Sequence, residues 1–180
     1  ELVQPPAPLA HPLDDGTAVL VERSVAETAA GLGPDAKAYA ELVQPLLDDW
    51  PRVESLVLGR LTVFPRHPFA LSRFAFRSAR SATGLASTTF SGERGRALFA
   101  GCAAHSLVPL EKSPTAGFGL VLLLSAHLFG WPFPRGGSQR IADTLVSILE
   151  EHGGVLETGA PVDSLAALPP NRSVFCDVSP

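Results

Sequence analysis

The most constraining feature of the sequence is an almost uninterrupted apolar stretch, Thr115–Phe129, whose apolar residues recur at helical spacing. The wider run Ala116–Trp131 contains Ser125 and His127 and falls short of the about 20 apolar residues that a membrane-spanning helix needs. A helix that is apolar around its whole circumference has to be buried on most of its sides. We therefore expect the rest of the chain to fold around this helix.

The role of this helix can be interpreted in two ways. In the first, all of its sides pack into a core. In the second, part of its surface lines an apolar channel, in which His127 is the polar group that orients a ligand. A histidine on an apolar helix is more commonly a hydrogen-bonded core residue, which we expect of both His105 and His127.

The N-terminal part of the chain predicts a β-hairpin followed by a helix. Asp14-Asp15-Gly16 separates two apolar stretches, Leu9–Leu13 and Thr17–Val21, and Asp-Gly in that position is a strong hairpin signal. Ser24 and Glu27 have the spacing of a capping box, so a short helix is expected to begin there and to end at Gly31 or Gly33.

Helical periodicity dominates the centre of the chain, and strand-like segments follow it. The predicted helices are Pro34–Asp49, Val53–Leu61, Phe69–Thr83, Gly92–Val108, Thr115–Phe129 and Ser138–Gly153. The predicted strands beyond them are Val155–Thr158, Pro161–Leu165 and Ser173–Val178. This order predicts an α+β fold, in which the helical centre packs on a small mixed β-sheet formed by strands from both ends of the chain.

The charge pattern argues against nucleic acid as a partner and leaves an anionic ligand or membrane surface open. Fourteen basic against 18 acidic residues give a net charge of −4 and a pI near 5.7, which argues against a nucleic-acid-binding protein. Seven arginines nevertheless fall in Arg60–Arg96, where Glu93 is the only acidic residue. They form either a solvated helix face or a contact with a further domain, an anionic ligand group or an anionic membrane surface.

Most familiar catalytic patterns are missing from the sequence. No two of the five histidines have the i, i+4 spacing of a helical zinc site, so no metal site is predicted. Cys102 and Cys176 lie in apolar surroundings and are expected to be buried free thiols. The sequence contains neither Gly-x-Ser-x-Gly nor the Gly-x-Gly-x-x-Gly loop that cradles a dinucleotide. We assign no catalytic acid, base or nucleophile.

The most specific tract begins at Gly130 and combines prolines, paired glycines and a helix. Pro132 and Pro134 enforce an extended backbone, and Gly136-Gly137 allows a tight turn or the close approach of another group. Ser138 is expected to cap a helix that Gly153 ends.

This tract resembles phytoene-desaturase-like FAD-dependent oxidoreductases, members of the flavin-containing amine oxidase and phytoene dehydrogenase superfamily. The matching positions are Trp131, Pro134, Gly136, Gly137, Leu145, Gly153, Gly154, Gly159 and Val162. The resemblance extends loosely over most of the chain, but only Trp131–Val162 is specific.

The resemblance implies that residues 1–180 are the substrate-binding, helical part of such an enzyme. The chain opens at Glu1 without a methionine, so we expect a fragment whose flanking FAD-binding segments belong to the same polypeptide and which alone is inactive. The parent would transfer a hydride from an apolar substrate, such as an isoprenoid or carotenoid-like molecule, to FAD. FAD is not expected to be bound to this fragment.

The resemblance also suggests site residues. The backbone of Val162 would contact the adenine of FAD, which makes it the only cofactor-binding residue. The expected substrate-binding residues are His127, Trp131, Phe133, Gly136 and Gly137.

Other partners and a second function stay open at this point. Peripheral membrane contact and homo-oligomer formation are further candidates. Residues 1–10 have neither the basic nor the apolar segment of a signal peptide, so a cytoplasmic location is expected. The alternative function is a non-catalytic module that binds an apolar ligand or another protein.

Overall fold

The fold is α+β, as the sequence predicts. The computed structural model describes residues 1–59 and 67–178, and the chain divides into two compact units, Glu1–Arg135 and Gly136–Pro180. The helices are α1 (Val25–Ala30), α2 (Ala36–Val57), α3 (Pro68–Ser78), α4 (Ala82–Thr89), α5 (Glu93–Ala103), α6 (Thr115–Leu128) and α7 (Gln139–Glu151). The strands are β1 (Leu2–Val3), β2 (Leu9–Pro12), β3 (Ala18–Val21) and β4 (Phe133–Pro134).

Helix α6 lies at the centre of the first unit, as its composition predicts. Its side chains Leu120, Leu123 and Leu124 are fully buried in the core. The packing is close because a Cβ at Gly119 would lie only 3.1 Å from Phe99 and Ala103 of α5. Within the described residues, no helix is long and apolar enough to cross a membrane.

Helix α2 is longer than predicted and runs without a break through Pro45 and Pro51. The sequence predicts an interruption after Asp49, because an interior proline costs a helix about 3 kcal/mol. Burial of one complete face outweighs this cost, at about 1.5–3 kcal/mol for each large apolar side chain. The buried residues of this face are Tyr39, Leu42, Val43, Leu46, Trp50 and Val53. The predicted helix Val53–Leu61 is therefore the end of α2, and its last two residues lie outside the described residues.

The predicted helix Phe69–Thr83 is divided into α3 and α4. The Ser81 hydroxyl accepts a hydrogen bond from Gly84 N at 3.2 Å and so begins α4. The backbone of the connection bonds to the start of α6 instead of continuing the helix. Ala82 N donates to Thr115 Oγ1 at 2.9 Å, and Ala116 N donates to Arg80 O at 3.2 Å.

The strands of the first unit form two antiparallel pairs instead of one mixed sheet. The predicted hairpin is confirmed as β2–β3, with Leu9 opposite Val21. In the other pair, β1 lies beside β4, with Val3 opposite Phe133, so the two ends of this unit meet. Strands from both sides of the helical centre are thus paired, as expected.

The second unit contains α7 and an irregular segment. Gly153 ends the helix as predicted, with φ of 80° and with Gly154 N donating to Leu149 O at 2.8 Å. The Ser138 side chain, in contrast, makes no capping hydrogen bond. The predicted strands after α7 do not form among the described residues, because an extended segment becomes a strand only where a neighbouring strand pairs with it.

A buried carboxylate joins the start of α2 to the start of α5. Asp35 is only 2% exposed, and its oxygens accept hydrogen bonds at 2.8 Å from Ser91 N, Ser91 Oγ and Gly92 N. Burial raises the pKa of Asp35, but these hydrogen bonds lower it by more, so that the pKa lies below its ordinary value. Asp35 thus satisfies free N–H groups at the N-terminus of α5.

We predict that Asp35→Ala lowers the free energy of unfolding by about 1–3 kcal/mol, because buried donors lose their acceptor. The measurement is urea unfolding, with Asp14→Ala, an exposed turn aspartate, as the matched control. Since the pKa of Asp35 is lowered in the folded state, its contribution is complete above its ordinary pKa of 3.8 and is lost as the pH falls below that value. Equal stability of the two variants at neutral pH would contradict the prediction.

Candidate functional site

An apolar groove of about 510 Å³ lies in the first unit where α3, α6 and the end of α2 meet. Its walls are Val57 and Leu58, Phe74 and Ser78 of α3, and Gly117, Phe118, Val121 and Leu122 of α6. Ala79, His105 and Pro114 complete its lining. Cavities of this size and composition are typical of sites for small apolar molecules.

The groove exists because α6 presents different side chains on its two faces. Leu120 and Leu124 point into the core, whereas Phe118 and Val121 line the groove. Gly117 allows α6 to lie close to α3, since a Cβ at this position would lie 3.2 Å from Ser78 Cβ and 3.3 Å from Ser78 O. Helix α6 therefore packs one face into the core and lines the groove with another. Both interpretations of its sequence apply, each to a different face of the helix.

Two polar groups stand in this apolar lining. The Ser78 hydroxyl is buried and has no hydrogen-bond partner among the described residues. A buried hydroxyl without a partner destabilises a fold by about 1–3 kcal/mol, so a ligand with a polar group would gain by bonding to it. The imidazole of His105 is the second polar group.

His105 is not the core residue that the sequence predicts. It is exposed, because α5 ends at Ala103 and His105 lies in the short 3-10 turn that follows. Its ring contacts the half-buried Trp131 edge-on, with 6.2 Å between centroids and 84° between planes. Sequence reasoning missed His105 as a groove residue because helical periodicity alone did not show where α5 ends.

His127 is a hydrogen-bonded core residue, as the more common interpretation predicts. Its Nδ1 lies 3.2 Å from Arg23 O and its Nε2 lies 2.6 Å from the Tyr39 hydroxyl. Because a carbonyl can only accept, Nδ1 carries the proton and Nε2 accepts from Tyr39. Burial lowers the pKa of His127 and raises the pKa of Tyr39, which keeps both side chains neutral. His127 does not line the groove.

The remaining predicted site residues are distributed over both units. Phe133 belongs to β4 in the first unit and is half exposed. Gly136 and Gly137 belong to the second unit, and their φ values of 87° and 92° confirm that both need a backbone that side chains rarely adopt. No atom lies within 4 Å of a Cβ built on Gly137, so its conformation and not crowding favours glycine. Val162 is exposed in the irregular segment.

The described residues do not form a complete FAD site. Residues 155–163 make no backbone–backbone hydrogen bond among the described residues, and Val162 is exposed. A pyrophosphate also needs a glycine-rich turn that leads from a strand into a helix N-terminus. No such turn occurs among the described elements.

Metal ligands and thiols are the remaining groups that could carry chemistry. The part of the chain that the structure describes contains no group of three or more histidine, cysteine, aspartate or glutamate side chains that could hold a metal ion. Cys102 is buried as predicted, which raises its pKa to about 12 and makes it a poor nucleophile at neutral pH. The predicted burial of Cys176 is wrong, because this residue lies exposed in the irregular segment, where no described element packs over it. The apolar groove is therefore the candidate site that these residues support best.

We predict that His127→Gln reduces the loss of stability on acidification from about pH 7.5 to about pH 5.5. A histidine whose pKa is lowered by folding stabilises fully above its ordinary value of 6.5, and this contribution falls as the pH drops below it. The free energy of unfolding should be measured at both pH values, with the exposed His152→Gln as control. A pH dependence that is identical in all three proteins would refute the assignment.

Comparison with known proteins adds nothing to the evidence for the groove as the candidate site. No protein family, curated protein or solved structure matches the chain. The function is therefore argued from the groove and from the resemblance in Trp131–Val162.

Proposed function

We propose that this chain is the substrate-binding part of an FAD-dependent oxidoreductase that acts by hydride transfer on an apolar substrate. The observation that carries the proposal is the apolar groove beside α6, with Phe118 and Val121 on its wall and Ser78, whose hydroxyl has no partner among the described residues, in its lining. The Trp131–Val162 tract supports the link to flavin chemistry. A cytoplasmic location remains a prediction.

The groove favours a mostly apolar substrate. Its volume of about 510 Å³ lies in the usual range for small-molecule sites and would hold a segment of an isoprenoid-like chain. Burial of such a chain gains about 25 cal/mol for each Å² of apolar surface removed from water. Ser78 and His105 would orient the substrate through a hydroxyl or carbonyl group.

In this proposal the protein contributes orientation and exclusion of water, while FAD, when bound, accepts the hydride. No residue of the groove is assigned as an acid or base. The described residues lack a pyrophosphate cradle, so further segments of the same polypeptide would hold most of the cofactor. Val162 remains the one proposed cofactor contact.

A module that binds an apolar ligand without redox chemistry is the second candidate. The same groove supports it, and the incomplete FAD site favours it for the chain taken alone. The two candidates differ only in whether a flavin is bound near the ligand.

We predict that Phe118→Asp weakens binding of a fluorescent apolar probe, such as retinol, by about tenfold or more, because a charge in an apolar site is costly. Phe129→Asp is the matched control, since both phenylalanines lie on or beside α6 with exposed fractions of 50% and 57%, but Phe129 does not line the groove. Fluorescence titration gives both affinities. Equal weakening by the two substitutions would show that the probe does not bind in the groove.

We predict that the isolated chain does not bind FAD at micromolar concentrations, because it lacks the N–H cradle for the pyrophosphate. Quenching of flavin fluorescence during titration with the purified chain measures this. Stoichiometric binding of FAD by the isolated chain would contradict the expectation that further segments of the polypeptide hold most of the cofactor.

The protein encoded by the complete gene should, in contrast, be purified with FAD and should reduce it when an apolar polyene is added. A product that binds the polyene but contains no flavin would favour the second candidate.

A further inference from the structure

The arginines of Arg60–Arg96 do not form a single face among the described residues. Arg94 is used structurally, since its guanidinium donates to Ala18 O at 2.6 Å and to Gly31 O at 3.0 Å. Arg73 pairs with Asp49 at 3.0 Å. Arg77 and Arg80, in contrast, line a separate pocket of about 480 Å³ between α2, α3 and α4.

This pocket holds two cations that no described carboxylate neutralises. Neither Arg77 nor Arg80 forms a salt bridge within the described residues. Glu41 also lines the pocket, but its carboxylate pairs with Lys37 at 3.7 Å. The two arginines and Glu41 give the described lining a net charge of +1.

The two guanidinium groups are held differently. Arg80 is fixed in place, because its Nη2 donates to Gly84 O at 2.6 Å and to Thr88 Oγ1 at 2.9 Å. Among the described residues, Arg77 makes one weak hydrogen bond, from Nη1 to Arg73 O at 3.3 Å, and its other donors have no partner there. Partial burial and the neighbouring Arg73 lower the pKa of Arg77, which reflects the cost of an unpaired cation at this site.

The other walls of the pocket suit the rest of an amphipathic ligand. Leu42 and Leu85 form an apolar wall, and Phe76 stands beside them with 78% of its surface exposed. Thr89 is also among the residues that line the pocket. A hydroxyl and two guanidinium groups are donors that match the oxygens of a phosphate group.

We propose that this pocket binds the phosphate monoester group of an amphipathic ligand. A monoester carries a charge of about −1.5 to −2 at neutral pH and three acceptor oxygens, so guanidinium groups attract it more strongly than they attract a carboxylate. The apolar part of the ligand lies against Leu42, Leu85 and Phe76. This site is distinct from the apolar groove and does not depend on the proposed redox function.

The phosphate group can come from a soluble monoester or from a lipid headgroup, and the experiment separates the two sources. Binding of octyl phosphate below its micellar concentration is measured by calorimetry on the full chain, with octanol as the uncharged comparison. Vesicles of phosphatidylcholine with and without phosphatidic acid are tested by co-sedimentation.

The test variant is Arg77→Gln, because Arg77 makes few bonds within the protein and the fold should survive its loss. Arg172→Gln, at an exposed position of the second unit, removes the same charge elsewhere. We expect Arg77→Gln to weaken binding by about tenfold or more and Arg172→Gln to leave it unchanged. Arg77→Lys should restore only part of the affinity, since an ammonium group cannot bind two oxygens in a planar fork. A thermal unfolding curve for each variant verifies that it is folded.

Arg77-dependent binding of octyl phosphate supports the site with a soluble ligand. Arg77-dependent binding of phosphatidic acid vesicles alone supports it with a lipid ligand. Absence of binding to both, affinity unchanged in Arg77→Gln, or equal binding of octanol and octyl phosphate would overturn the proposal.

Discussion

Burial of α6 is the constraint on which the rest of the first unit depends. A helix with leucine or valine on nearly every side can only exist with other elements around it. Gly117 and Gly119 allow α3 and α5 to approach closely from two sides. At its two ends, Thr115 binds the α3–α4 connection and His127 binds Tyr39 and the backbone of Arg23, so the few polar groups of the helix are satisfied.

The same helix explains why the first unit has an apolar groove at all. The surrounding elements cover the core face of α6 but leave Phe118 and Val121 beside open space. Ser78, placed there by the close contact at Gly117, adds a hydroxyl without a partner. An apolar wall with few polar groups is the usual arrangement for recognising an apolar molecule.

The second unit has a different character, because none of its described residues is buried. Helix α7 carries an apolar stripe at helical spacing, formed by Ile141, Leu145, Ile148 and Leu149, and these side chains are largely exposed. The segments that follow have strand-like sequences without a strand beside them.

The sequence by itself determined the features that depend on a few neighbouring residues. The Asp-Gly hairpin, the start of α1 at Ser24, the end of α7 at Gly153 and the positive φ of Gly136 and Gly137 follow from local backbone preferences. The position of α6 could also be predicted, because its apolar composition leaves no alternative to burial. The core role of His127 followed from this burial, although its partner Tyr39 lies 88 positions away and gave no local signal.

Only the tertiary structure decided the features that depend on distant residues. Whether α2 continues through Pro51 depends on what its buried face packs against. The break between α3 and α4 depends on hydrogen bonds from Ala82 and Arg80 to the start of α6. The groove, the exposure of His105 and the pocket of Arg77 and Arg80 likewise arise where separate helices meet. Local preferences are worth about 1 kcal/mol per residue, and burial of whole helix faces outweighs them, so these choices are made by packing and not by the local sequence.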